Sequence, residues 1–193
     1  MLILTKSMLS MMIGFILSVG CGVVVIPLLR KLKADQRVSI YLEEAHKKKN
    51  GTPTMGGIIF IFPTILTIFL LYLMDKIELS YSLFIVLFSF IGYGLIGFID
   101  DYLIIKRHNN KGLTEGQKMI MQLVIAVVFF YLFMKGGNEP LLWVHTIGLK
   151  IDIGWIYGLF ILFVLAASSN AVNLTDGLDG LAAGISSIYF LTI

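Results

Sequence analysis

Two carboxylates and a carboxamide stand together between two apolar runs in Asn173-Leu174-Thr175-Asp176-Gly177-Leu178-Asp179-Gly180. On a helix, Asn173 and Asp176, or Asp176 and Asp179, lie three residues apart and share a face; in a glycine-broken loop they converge from the turn. Either arrangement makes one polar cluster, and a plain polar turn between two membrane spans has the same composition. A second acidic group, Asp100-Asp101, closes another apolar run. A carboxylate at a helix C-terminus meets the negative end of the dipole, at a cost of about 0.3–1 kcal/mol, so the pair calls for a cation. Lys106 or Arg107 would serve, and so would Mg²⁺, which takes one or two carboxylates together with phosphate oxygens. Adjacent helical positions point about 100° apart, so one Asp of the two faces a site directly. A solvated helix end is the competing reading. Lys118 is the mirror case, a cation near the positive end of a helix, suited to an anionic partner or to snorkelling toward headgroups. Lys47 and Lys48 read as topology signals, whereas Lys49 adjoins the turn at residues 50–54.

The elements that position these residues are membrane spans. The chain has 193 residues, 58% hydrophobic and 14% charged, with a mean hydropathy of +0.90, far more apolar than an average soluble domain. An all-α integral membrane protein, a polytopic helical bundle forming a single transmembrane domain, is the expected fold. A β-barrel would show short alternating segments instead. Spans are predicted at residues 8–29, 55–74, 79–99, 115–134 and 153–169, with a sixth starting near 178 and still running at residue 193. Thr54 is the expected N-cap of the second span. Thr114-Glu115-Gly116-Gln117 fits a capping box and places the start of the fourth near Glu115. Residues 141–152 partly alternate and predict a small hairpin outside the bilayer, and Trp143 and Trp155 suit an interfacial belt. The single Cys21 lies in an apolar run, which excludes a disulfide framework. His46, His108 and His145 share no ligand spacing and read as surface residues.

Basic residues set the orientation. The loops after the first and third spans, with Lys118, hold 11 of the 15 Lys and Arg residues; Lys6, Lys76, Lys135 and Lys150 make up the rest. The bias puts the N-terminus outside and the hairpin on the extracytoplasmic side. Lys49, Thr54, Asp100-Asp101, Lys118 and Asn173 to Asp179 then share the cytoplasmic face. Three carboxylate-bearing elements and two lysines at one membrane face describe a site for a divalent metal and a phosphorylated ligand, with lipid in reach. The scattered charge gives no nucleic-acid-binding face.

Four segments, Lys49-Asn50-Gly51-Thr52-Pro53-Thr54-Met55-Gly56-Gly57, Gly97-Phe98-Ile99-Asp100-Asp101-Tyr102, Thr114-Glu115-Gly116-Gln117-Lys118 and the 173–180 stretch, closely resemble the bacterial phospho-N-acetylmuramoyl-pentapeptide transferase family, in family order. The resemblance implies a Mg²⁺-dependent enzyme of the inner membrane. It would transfer phospho-MurNAc-pentapeptide from its UDP carrier to undecaprenyl phosphate, giving lipid I and UMP. It also implies that Asp100, Asp101 and Asp176 are catalytic and metal-binding, and that Lys49, Thr54, Lys118, Asn173 and Asp179 bind substrate. Asp100 is the expected general base in a direct displacement. A homodimer is compatible with it.

The family has about ten spans and a later aspartate and His-rich motif that this sequence does not contain, so the expectation is that these 193 residues alone have no transferase activity. Another polyprenyl-phosphate N-acetylhexosamine-1-phosphate transferase is the neighbouring alternative, against which residues 52–57 argue. Half of a transporter is an alternative from another class, since membrane carboxylates often mark ion pathways; here they lie at span ends rather than midway.

Overall fold

Among the described residues, long apolar runs separated by polar segments give six helices and one hairpin. The computed structural model describes residues 2–31, 54–107, 112–176 and 180–192. The helices are α1 (Leu2–Lys31), α2 (Ile58–Leu73), α3 (Tyr81–Arg107), α4 (Glu115–Lys135), α5 (Ile156–Thr175) and α6 (Leu181–Thr192). Strands β1 (Leu141–Val144) and β2 (Leu149–Asp152) stand between α4 and α5. Among the described residues, four helices, α1, α3, α4 and α5, are long and apolar enough to cross a membrane, while α2 and α6 are shorter and apolar. Large hydrophobic side chains point outward along them, Phe15 at 71%, Val23 at 72% and Phe163 at 70% exposure, as lipid-facing surfaces require. The architecture is therefore the expected all-α polytopic one.

Two compact units divide the chain, Met1–Lys118 and Met119–Ile193. In the first, α1 and α2 run antiparallel: a Cβ on Gly14 would lie 3.6 Å from Thr67 Oγ1, and one on Gly22 3.4 Å from the Ile59 side chain. Pro63 and Thr67 are buried in α2, and Thr67 Oγ1 donates to the Pro63 carbonyl (2.7 Å), satisfying a buried hydroxyl. Helix α3 crosses α2 closely because Gly94 has no side chain; a Cβ there would come within 2.7 Å of Ile61 Cδ1. The α2–α3 turn is a Schellman motif, with Asp75 at φ 54° and the Lys76 and Asp75 N–H groups donating to the Leu71 and Tyr72 carbonyls (2.9 and 3.0 Å). Ser80 Oγ then accepts the Leu83 N–H (3.2 Å) and caps α3.

The second unit pairs α4 with α5, also antiparallel. Gly158 lets the Phe130 ring approach, since a Cβ there would lie 2.8 Å from Phe130 Cε1. Phe133 packs against Tyr157 with ring centroids 5.6 Å apart. Inside this pair Gln122, 5% exposed, donates to Ser169 Oγ (3.3 Å) and accepts from Asn170 Nδ2 (2.9 Å). Asn170 Nδ2 also donates to the Ala166 carbonyl (2.8 Å). Across β1 and β2 the antiparallel register pairs Leu141 with Asp152, Leu142 with Ile151, Trp143 with Lys150 and Val144 with Leu149. The hairpin predicted at residues 141–152 is thus present. Its tip is a short 3₁₀ turn ending at Gly148, whose φ of 66° suits a residue without Cβ.

Helix α1 starts six residues before its predicted span, and α3 and α5 outrun their predicted ends. Helix α3 continues past Asp100-Asp101 to Arg107, and α5 continues past Ser169 to Thr175. Hydropathy falls at the polar residues, but Tyr102 to Ile105 resume the apolar run, and an Asp in a helix interior costs only about 0.7 kcal/mol relative to Ala.

Candidate active site

The first unit builds its polar centre where α3 passes the starts of α2 and α4. Asp100 and Asp101 lie about two turns before the end of α3, so they are not terminal carboxylates opposing the dipole as the sequence had suggested. Being adjacent on a helix, they point about 100° apart and serve different neighbours. Asp100 Oδ2 forms an ion pair with Lys118 Nζ at 2.6 Å, the two side chains being 17% and 27% exposed. Asp100 Oδ1 accepts the Leu113 N–H (2.7 Å). Asp101 Oδ2 accepts the Met55 N–H (2.7 Å). Two side chains thus tie three helix ends together.

Local sequence explains each contact. Thr114 and Gln117 make both halves of the predicted capping box, Thr114 N–H to Gln117 Oε1 (3.0 Å) and Gln117 N–H to Thr114 Oγ1 (3.2 Å). The box starts α4 at Glu115 and sets Lys118 one turn inside it, where its ammonium reaches Asp100. Gly112 allows the chain to pass the carboxylate: a Cβ there would overlap Asp100 Oδ1 and lie 2.8 Å from its Cγ. Arg107 Nη1 donates to the Gly112 carbonyl (3.1 Å). The cation paired with Asp100 is therefore Lys118, rather than Lys106 or Arg107. On the α2 side, Met55 adopts φ 66°, a conformation uncommon for a residue with a long side chain, and this directs its N–H to Asp101.

Thr54 does not cap α2. That helix begins at Ile58 behind Gly57, and Thr54 Oγ1 is buried without a hydrogen-bond partner among the described residues. A buried hydroxyl left unpaired costs about 1–3 kcal/mol. In the second unit, Asn173 lies in the last turn of α5 and Asp176 is its C-cap residue; both are exposed. Their separation of three puts them on one helix face, as read from the sequence. Lys49 and Asp179 lie outside the described residues.

The carboxylate pair can be compared with what Mg²⁺ requires. The ion completes its shell with water and phosphate oxygens around one or two carboxylates. Asp100 and Asp101 supply that number, and among the described residues no three His, Cys, Asp or Glu side chains gather into a cage. Two carboxylates are, in kind and number, what such an ion takes from a protein when water and phosphate supply the rest of its shell.

The sequence did not single out Leu113, Met55 and Gly112, which act through backbone atoms or the absence of a side chain. It also did not single out the Gln122–Ser169–Asn170 cluster. Its signal was present, a carboxamide at 122 within the fourth apolar run and polar residues at 168–170 within the fifth.

This polytopic helical membrane chain belongs to glycosyl transferase family 4, whose pattern residues 83–193 match. More narrowly, residues 49–61 match signature 1 of the phospho-N-acetylmuramoyl-pentapeptide-transferases, a segment that includes Lys49, Thr54 and Met55. Curated proteins of that name are similar along nearly the whole chain. The Oceanobacillus iheyensis protein is 38% identical over 97% of this chain and 57% of its own length. The Bacillus pumilus protein is 42% identical over 94% of this chain and 56% of its own, and the Bacillus subtilis protein 41% identical over the same shares. The chain therefore spans a little over half the length of these relatives.

Proposed function

We propose that this chain contributes the metal and phosphate part of an active site that transfers phospho-MurNAc-pentapeptide from UDP-MurNAc-pentapeptide to undecaprenyl phosphate, yielding lipid I and UMP in peptidoglycan synthesis. The observation that carries the reading is the wiring of the α3 carboxylates. Asp100 holds Lys118, and Asp101 holds the backbone of Met55, within the segment that matches the transferase signature.

In this reaction a phosphate oxygen of the lipid attacks the β-phosphorus of the UDP-linked donor, the bond to the bridging oxygen breaks, and UMP leaves. Phosphoryl transfer depends mainly on positioning and charge neutralisation. Lys118 exchanges Asp100 for diphosphate oxygens, which keeps the ammonium paired throughout and releases Asp100 Oδ2. Asp100 then accepts the proton of the lipid phosphate as general base. In the first unit, Asp100 and Asp101 would hold Mg²⁺, which when bound would neutralise charge on the diphosphate. Lys49, Thr54, Asn173 and Asp179 bind the nucleotide side; the unpaired Thr54 hydroxyl is available to donate. The positive-inside bias supports a site facing the cytoplasm, an N-terminus outside and a multi-pass location in the bacterial cytoplasmic membrane.

The test is donor choice, in its membrane, by a protein in which this chain replaces the matching part of one of the longer relatives. Supplied with undecaprenyl phosphate and Mg²⁺, it should form lipid-linked product from UDP-MurNAc-pentapeptide and none from UDP-GlcNAc. Product from UDP-GlcNAc would replace this reading by that of a transferase with a different sugar.

A further inference from the structure

The hairpin between α4 and α5 has two unlike faces. Its register places Leu142 and Val144 of β1 opposite Ile151 and Leu149 of β2. Residues directly opposite in a two-stranded ribbon share a face, so these four make one wholly aliphatic surface. The other face carries Leu141, Trp143, Lys150 and Asp152, with Lys150 Nζ 4.3 Å from the centroid of the Trp143 ring. Most of the aliphatic face is uncovered: Val144 is 37%, Leu149 44% and Ile151 40% exposed, and Ile147 at the tip 69%, while Leu142 is half-buried.

What covers that face follows from where the hairpin is tied. Strand β1 starts six residues after α4 ends, and α5 starts four residues after β2 ends; the Ile153 N–H closes the base on the Pro140 carbonyl (3.3 Å). Both flanking helices are long and apolar enough to span a membrane, so the ribbon is held at the bilayer surface. The lipid-facing stripe of α5, Ile156, Leu159 and Phe163 at 65–70% exposure, leads up to Trp155, 81% exposed and set edge-on to Phe130 at 5.9 Å. Both tryptophans of the chain thus lie in this connection, as interfacial anchors do. Depth is limited from the other side. A two-stranded ribbon has two open edges of N–H and C=O groups, which the hydrocarbon core cannot satisfy but headgroups and water can.

We propose that the hairpin lies flat in the membrane interface, its Leu142–Val144–Leu149–Ile151 face against lipid acyl chains and its Trp143–Lys150 face toward the headgroups. It acts as a lipid-bound strap over the end of the α4–α5 pair, and this holds whatever the substrate of the polar site.

The experiment uses the full protein with Cys21→Ser, reconstituted in phosphatidylcholine vesicles, with a nitroxide spin label placed in turn through Leu149→Cys, Lys150→Cys and Ile151→Cys. Collision with membrane-soluble oxygen and with a water-soluble nickel chelate is measured at each position. The labels at 149 and 151 should favour oxygen and the label at 150 the nickel chelate, an alternation that a merely unfolded loop would not produce. Nickel access at 149 and 151 equal to that at 150 would put the face in water. Exclusion of both reagents from 149 and 151 would mean that protein covers it. Either result overturns the proposal. Ile147→Cys at the tip gives an independent fourth position and should behave as 151 does.

Discussion

Replacing Asp100 by Asn isolates the energy of its ion pair with Lys118. The amide retains an oxygen for the Leu113 N–H, so the main loss is the charge facing Lys118 Nζ across 2.6 Å. Coulomb attraction at that separation is about 6 kcal/mol at an effective dielectric of ~20 and about 1.6 kcal/mol in bulk water. With side chains 17% and 27% exposed, solvent reaches both ions, and the partial desolvation of each offsets much of the attraction. The net coupling should be about 1 kcal/mol, near the upper end for exposed pairs and well below a fully buried one. A double-mutant cycle of Asp100→Asn and Lys118→Met, read as unfolding by sodium dodecyl sulfate with far-UV circular dichroism, measures it directly. The coupling should shrink between 0.1 M and 1 M salt, as the Debye length falls from ~10 to ~3 Å. A coupling indistinguishable from zero would show that the pair does not join α3 to α4. One that ignores salt would show that its ions are sealed from solvent.

Gly112→Ala should destabilise the first unit by about 1–3 kcal/mol, because the new Cβ overlaps the Asp100 carboxylate; thermal unfolding in detergent reads this, and a wild-type midpoint would contradict the close approach. Gln122→Leu removes the acceptor of Asn170 Nδ2 and should cost about 0.6–1.7 kcal/mol, since Asn170 keeps the Ala166 carbonyl. Adding Asn170→Leu should restore part of that loss, because it removes the amide that lost an acceptor, while Ser169 still lacks its Gln122 donor. Gln117→Ala breaks one arm of the capping box and should lower stability by about 0.5–1 kcal/mol, measurable as faster amide exchange at Thr114.

Spans and caps were legible because they depend on local chemistry. The Thr114–Gln117 spacing implies both capping bonds, and alternation across residues 141–152 marked the hairpin between two spans. The ends of α3 and α5 were less so. Charged and amide residues interrupt hydropathy without interrupting a helix, and the donors that satisfy Asp100 and Asp101 come from 13 and 46 residues away. That Lys118 wants an anion could be read from its place at a helix start; that the anion is Asp100 depends on how α3 and α4 meet. Thr54 looked like a cap because it precedes an apolar run, yet α2 starts later, at Ile58, and leaves the hydroxyl unpaired. Asn173 and Asp176 keep the helical spacing that suggested a shared face.

The account rests on the α3 carboxylates serving phosphoryl transfer. The most direct measurement is Mg²⁺-dependent UMP release from UDP-MurNAc-pentapeptide and undecaprenyl phosphate by a protein in which this chain replaces the matching part of a longer relative and by its Asp101→Asn variant, with folding of the variant checked by circular dichroism. The account predicts a folded variant slower by about 10²-fold or more, since losing a carboxylate that would hold Mg²⁺ removes several kcal/mol of transition-state charge stabilisation. A folded Asp101→Asn protein that releases UMP at the unmodified rate would contradict it.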